Sequence, residues 1–426
     1  MRQEDATTCP RLITEGYRDR VHPEIYDELA RQGPVRRVLL LGDVPAWVVT
    51  TRAEADDVYR DPRLVKDPLR VAALGQAIGT RRVPEDLPAV AGRQLMNLDG
   101  EDHARVRRVI GKRLSDAALE RWQPAIDRAV EHRVEALAAH DSADLVRDFA
   151  TPLVIEVVAC VLGVREELTG TIMRHGRRLL GTGSPRSAEW TESYRLAVEA
   201  ADRAVRERDP DDGDDVLAAM LRGRRDGLLS RREITSNLIM LMLGADLPVV
   251  GFIAHGAAVL QDDHRERAAL LGGDAAAVVD RLVAKRPPIP FSSWRFAVED
   301  LEIAGQRVAA GDAVLVLTAT ANRDGTANRD STANRDTTAN RDTTACPVTA
   351  GAARGRSSGH LSFGAGPHRC PGGPLALRQA ATALPALFRR FPGLRLEVPL
   401  SEVPWHGGIG PRVPEQVRVR LTGTRS

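Results

Sequence analysis

The stretch SFGAGPHRCPGG (362–373) sets one cysteine, Cys370, among four glycines, two prolines and a histidine. A thiolate can act as a nucleophile, ligate a metal, or sit inert in a core. As a nucleophile it needs a base, and His368 lies two residues away. Neighbours in sequence need not be neighbours in space, however, and no oxyanion motif accompanies it. The glycines suit a tight loop whose backbone N–H groups point at the sulfur, which is a way to tune a metal thiolate. On these residues alone, metal ligation and a structural cysteine both stay open. A second pair with chemical reach is His103 and Arg107, in LMNLDGEDHARVRRVIGKRLS (95–115). They stand four apart and share a helix face, as two groups gripping one anionic edge must.

Such residues need elements to hold them. RRVLLLGDVPAWVVTT (36–51) has two β-rich runs around a Gly-Asp turn, a hairpin pattern. DAALERWQPAIDRAVEHRVEALAAH (116–140) repeats apolar residues at helical spacing. SRREITSNLIMLMLGADLPVVGFIAHGAAVL (230–260) opens with a capping box, Ser230 and Glu233, and is apolar on most faces. That helix is expected to run through the middle of the protein, kinked where Pro248 removes a backbone donor. TANRDGTANRDSTANRDTTANRDTTA (320–345) writes a six-residue unit four times. A unit this short without an apolar position cannot build a stacked core, so a solvated loop is expected.

Composition narrows the function classes. The 426 residues carry Lys+Arg 60 against Asp+Glu 58, a net charge of +2. No global field recruits nucleic acid or an anionic membrane. Cys9, Cys160, Cys346 and Cys370 are too few and too scattered for a disulfide framework or a CxxC zinc site. MRQEDATTCPRL at the amino end has no apolar core for a signal peptide. The longest apolar stretch, Leu238 to Ala254, is interrupted by Asp246 and Pro248 and is marginal for a membrane span. A cytoplasmic protein without membrane or nucleic-acid partners is expected.

FGAGPHRCPGG resembles the haem-binding loop of the cytochrome P450 superfamily, whose pattern is Phe-Gly-x-Gly-x-His-x-Cys-x-Gly. Phe363, Gly364, Gly366, His368, Cys370 and Gly372 fill every position. The resemblance implies haem b, with Cys370 as the axial thiolate on iron, Phe363 packed under it, and His368 bonding a propionate. Residues 33–68 look like the family's amino-terminal sheet and following helix. Residues 95–115 look like its C helix, where His103 and Arg107 would hold propionates. Residues 294–316 look like the sheet after the K helix, with Arg295 as the third propionate partner. The implied fold is one triangular domain over residues 1–426, mainly α with small β-sheets. The implied activity is oxidation of an organic small molecule, a monooxygenase of secondary metabolism fed by a ferredoxin-type donor.

Several positions depart from the family. Its K helix carries Glu-x-x-Arg shortly before a Pro-Pro pair. In VVDRLVAKRPPI (278–289), Pro287-Pro288 places Arg281 at the Glu position and Ala284 at the Arg position. A one-residue slip offers Asp280 and Val283 instead. The following meander, TTACPVTAGAARGRSSGHLS (343–362), lacks the usual aromatics. Family members also place an acid and a threonine mid-way along the I helix to deliver protons during oxygen activation. In GADLPVVGFIAHG (244–256), Leu247 and Pro248 take those places and neither can donate a proton. Asp246 is one residue early, about 100° around the helix. Gly244, Leu247 and Pro248 are expected to border the substrate pocket.

The repeat also has a reading within the resemblance. From the first ANRD, 38 residues (325–362) precede Phe363; from the fourth, 20 do (343–362). The difference, 18, is three units, so residues 325–342 look like tandem copies of the family's own ANRD element. The departures leave two other readings beside the monooxygenase. One keeps haem but is peroxide-driven or redox-neutral, and the other is a haem-free relative that activates a partner enzyme.

Overall fold

The computed structural model describes residues 23–40, 44–67, 70, 92–180, 187–324, 359–406 and 411–422. The Gly-Asp turn, the repeat copies after the first, and 343–358 of the meander lie outside the described residues.

The chain begins with α1 (Pro23–Arg31), then β1 (Val35–Leu40) and β2 (Val44–Val49), paired antiparallel with Val35 opposite Val49. The hairpin expected over 36–51 is therefore present. After α2 (Arg52–Val58) and β3 (Leu64–Val65) come α3 (Gly100–Gly111), α4 (Asp116–Leu119) and α5 (Gln123–Leu137). The single helix expected over 116–140 is divided by a 3-10 turn at Glu120–Trp122. Pro124 explains the division: lacking an N–H, it fits the first turn of a new helix better than the interior of an old one.

β4 (Ser142–Asp144) leads through a π-helical turn into α6 (Thr151–Leu162), α7 (Glu166–Leu180), α8 (Ala188–Glu207) and α9 (Val216–Arg225). The long α10 (Arg231–Leu260) follows with its capping box made: Ser230 accepts from the Glu233 N–H, and the Glu233 carboxylate accepts from the Ser230 N–H. Helical structure runs on through Pro248 without a break. What proline removes is one bond to the carbonyl four residues back, that of Gly244. By length and composition α10 could cross a membrane, yet most of its apolar window is covered by the protein, by α6, α7, α8 and α13. That burial is why all its faces could be apolar.

Next come α11 (His264–Leu271), α12 (Ala275–Lys285), and the strands β5 (Arg295–Ala297), β6 (Leu301–Ile303), β7 (Gln306–Val308) and β8 (Ala313–Val316). β8 pairs parallel with β2, Trp47 opposite Val314, and antiparallel with β5. One sheet in the order β1-β2-β8-β5-β3 thus joins the amino-terminal hairpin to strands far along the chain. α13 (Gly373–Arg390) starts just after Cys370 and packs on α5, α10 and α12. Short strands β9 (Arg395–Leu396), β10 (Trp405–His406), β11 (Val413–Pro414) and β12 (Arg418–Arg420) complete the carboxyl end. The largest apolar core lies around α10, and two smaller ones flank the five-stranded sheet.

Candidate functional site

The cysteine loop is a close backbone construction. Gly364 and Gly366 lie in the left-handed region, at φ +68° and +67°. A Cβ on Gly366 would stand 2.5 Å from the Tyr59 carbonyl oxygen, so this position requires glycine. The Gly364 N–H donates to Leu361 (2.8 Å), and the Cys370 N–H donates to Phe363 (2.8 Å). The loop thereby folds back on itself and delivers the cysteine to the start of α13. The amides of Gly372 and Gly373 donate to the Cys370 sulfur. Burial pushes the thiol up, while these amides and the Arg107 and Arg369 charges oppose that shift. Cys370 nevertheless keeps an accessible surface, as a ligating side chain must. The loop is built around the sulfur, as the glycine pattern led one to expect.

Next to it lies a buried cationic cluster. His103, on α3, is 4% exposed and its Nε2 has no partner among the described residues. The His103 and His368 rings lie 4.1 Å apart. Burial, then the His368 and Arg107 charges, pull His103 down to about 4. Arg295, on β5, is buried over the Tyr59 ring, 4.6 Å from its centroid, and its Nη1 has no partner among the described residues. Arg107 donates to the Arg369 carbonyl (2.6 Å).

Two further members were not singled out from the sequence. Lys66 is buried and held well below the usual ammonium range by burial and then by Arg295. Asp99 accepts from the backbone N–H groups of Lys66 (2.9 Å) and Asp67 (2.8 Å), and its other oxygen lies 3.3 Å from His368 Nε2. The one available sign was scarcity, because Lys66 is one of only three lysines, with Lys112 and Lys285.

Lys66, His103, Arg295 and His368 thus gather around the carboxylate of Asp99, Arg107 lies beside Cys370, and two of their donor atoms have no partner among the described residues. A buried site so rich in donors is suited to an anionic group. The two propionates of a haem would supply the missing negative charge beside a thiolate. The residues present fit that group.

The middle of α10 divides its side chains between two surroundings. Gly244 is exposed, with nothing near the place a Cβ would take, and Leu247 is half-buried. Asp246 is fully buried and turned to α7, where Arg177 binds it bidentately, Nε donating to Oδ2 at 2.6 Å. Arg177 also donates to Thr151 of α6 (3.2 Å). Burial raises the Asp246 carboxyl, and Arg177 opposes the rise. Asp246, the acid nearest in sequence to the expected proton-delivery position, is committed to an ion pair.

The altered K-helix positions are placed as well. Arg281 is an exposed residue of α12 that binds Glu266 of α11 at 3.1 and 2.6 Å. An arginine is tolerable there because it reaches solvent and an acid. Two cavities, of about 630 and 610 Å³, lie beside Cys160 and between α2 and the β6–β7 turn; no expected site residue lines either.

Comparison with known proteins agrees with this geometry. Residues 284–404 match the family Cytochrome P450. The chain is 31% identical, over 98% of its length and 100% of the relative's, to 6-deoxyerythronolide B hydroxylase of Saccharopolyspora erythraea. The chain belongs to the cytochrome P450 family. It is also 29% identical to nocardicin C N-oxygenase of Nocardia uniformis subsp. tsuyamanensis, over 94% of this chain and 95% of that one. Among solved structures it resembles the tirandamycin C-bound P450 monooxygenase TamI, with TM-score 0.78 and 26% identity, covering 97% of this chain and 100% of that one. As a P450 it is a haem-iron oxidoreductase of the monooxygenase type, acting on an organic small molecule. Mainly helical architecture with small sheets is the fold of the family.

Proposed function

We propose that Cys370 is the axial ligand of haem b in a P450 monooxygenase of secondary metabolism. The observation that carries this reading is the pairing of two amides on the Cys370 sulfur with a buried, donor-rich cluster beside it. When bound, the haem iron supplies the oxidising chemistry. The chain's own residues then divide the remaining work. Gly364 and Gly366 let the loop close tightly, and the amides of Gly372 and Gly373 stabilise the Cys370 thiolate. Phe363 would pack under the sulfur, as the family pattern implies; its ring lies against the start of α13, where a Cβ on Gly373 would meet it at 3.1 Å. His103, Arg107, Arg295 and His368 hold the propionates, joined by Lys66. Gly244, Leu247 and Pro248 border the space for substrate.

The names of the relatives, which include a nocardicin N-oxygenase and a polyketide-biosynthesis P450, support a substrate of the polyketide or antibiotic kind; the electron donor that goes with this reading is of the ferredoxin type. The whole chain, 1–426, forms one domain with an insertion at 325–342, working in the cytoplasm. Purified protein should hold one haem and give a thiolate-type Soret band in its ferrous carbon monoxide complex. Cys370→Ala should abolish that band. A folded protein without the band, or unchanged haem content in Cys370→Ala, overturns the assignment.

A second reading has its own observation. With Leu247 and Pro248 unable to donate a proton and Asp246 held by Arg177, α10 offers no acid of its own toward the pocket. Turnover driven by peroxide, which brings its own protons, is compatible with that arrangement.

A further inference from the structure

The family's K-helix charge pair is missing, yet α12 and the thiolate loop are firmly joined. We propose that Asn322, His360 and Ser362 form a neutral hydrogen-bonded bracket that positions the Cys370 loop on α12, in place of the charge pair. The proposal rests on the reading of Cys370 as the haem ligand.

The end of α12 presents carbonyls that no helical N–H can reach. Leu282 is satisfied by the Arg286 N–H at 2.9 Å. The next two are reached by side chains instead. Ser362 Oγ donates to the Val283 carbonyl (2.8 Å), and Asn322 Nδ2 donates to that of Ala284 (2.9 Å). At the former Arg position, then, only the backbone of Ala284 is used. Asn322 spends its second amide hydrogen on Ser362 Oγ (2.9 Å), and its Oδ1 accepts from the Leu361 N–H (2.6 Å). His360 Nδ1 accepts from the Ser362 N–H (3.1 Å), so its proton sits on Nε2, which donates to Asp280 Oδ1 at 3.2 Å.

Every polar atom of the three side chains has a use. Asn322 and His360 are buried, at 3% and 8% exposure, where a half-satisfied network would be costly. A neutral network avoids the larger penalty of desolvating two charges.

From this bracket the chain runs directly to the sulfur. Leu361 is gripped by Asn322 and accepts from the Gly364 N–H, Phe363 contacts the His360 ring at 5.8 Å, and Phe363 accepts from the Cys370 N–H. Asn322 belongs to the first ANRD copy, whose Asp324 also accepts from the Arg52 N–H (2.9 Å). The first copy is therefore docked, on α12 and on α2.

The test uses full-length, haem-loaded Asn322→Asp, Ser362→Ala and Ser362→Thr. Asn322→Asp keeps the shape but loses both donors, and Ser362→Ala is the milder change should the first not fold. Both should enlarge the non-thiolate share of the ferrous carbon monoxide complex about fivefold, the factor one lost hydrogen bond carries. Ser362→Thr keeps the hydroxyl and should stay at the wild-type share. A fall in melting temperature with an unchanged spectrum would make these residues merely structural and overturn the proposal. Unchanged spectra beside a normal wild-type band overturn the bracket alone; a wild type without the thiolate band overturns it together with the Cys370 assignment.

Discussion

At the scale of single residues, the α10 positions proposed to border the substrate bear on how oxygen chemistry would be supplied with protons. Gly244 has lost its helical donor to Pro248, so its carbonyl can hold a water where other family members place an alcohol. Leu247→Glu with Pro248→Thr should therefore raise the coupling of reductant to product in an oxygen-driven assay. The same change should do little for turnover driven by added peroxide. Equal oxygen-driven coupling in the two proteins, with the spectrum unchanged, places the proton path elsewhere. Asp246 cannot stand in, since its carboxylate is turned about 100° from Leu247 and bound by Arg177.

At the scale of elements, that same ion pair ties three helices together. Gly176, the neighbour of Arg177, lets α7 lie so close to α10 that a Cβ there would strike Leu243 at 1.8 Å. Arg177→Met leaves Asp246 buried without its partner and should cost about 3 kcal/mol at neutral pH in chemical denaturation. The double variant Arg177→Met/Asp246→Leu should recover most of that loss. The pH dependence has a definite sign. Burial already raises the folded Asp246 above its unfolded value, so the native state binds the extra proton. Stability from this group is full below the unfolded carboxylate range, near pH 4, and is lost as pH rises through the folded pKa. In Arg177→Met the rise is larger, so its deficit should shrink steadily as the solution is acidified. A deficit independent of pH assigns the loss to packing alone.

At the scale of the whole molecule, the repeat tests how much of the chain the fold requires. Deleting 325–342 keeps the docked copy, with Asn322 on α12 and Asp324 on Arg52. Closing a long polar loop costs little, and each doubling of its length adds only about 0.6 kcal/mol. Melting temperature and haem content should both survive the deletion. A large drop in either makes the extra copies structural.

What the sequence determined by itself is what short-range chemistry controls. The glycine pattern around Cys370 dictated a loop folded on its sulfur, because glycine adopts φ +68° and +67° without strain and, at Gly366, is the one residue that fits against the Tyr59 carbonyl. The capping box at Ser230 and the strand pairing of 36–51 were readable for the same reason, as their partners lie a few residues away. The shared face of His103 and Arg107 followed from helical spacing. The division at Glu120–Trp122 was missed because apolar periodicity continues across it. Only the tertiary structure could bring Lys66 and Asp99 to His368, or Asn322 to Ala284 and Leu361. Those contacts join segments tens to hundreds of residues apart, and a single chain carries no local mark of them. Asp246 shows the limit most plainly. Its spacing placed it about 100° around the helix from Leu247, but the side chain waiting there, Arg177, is supplied by another helix.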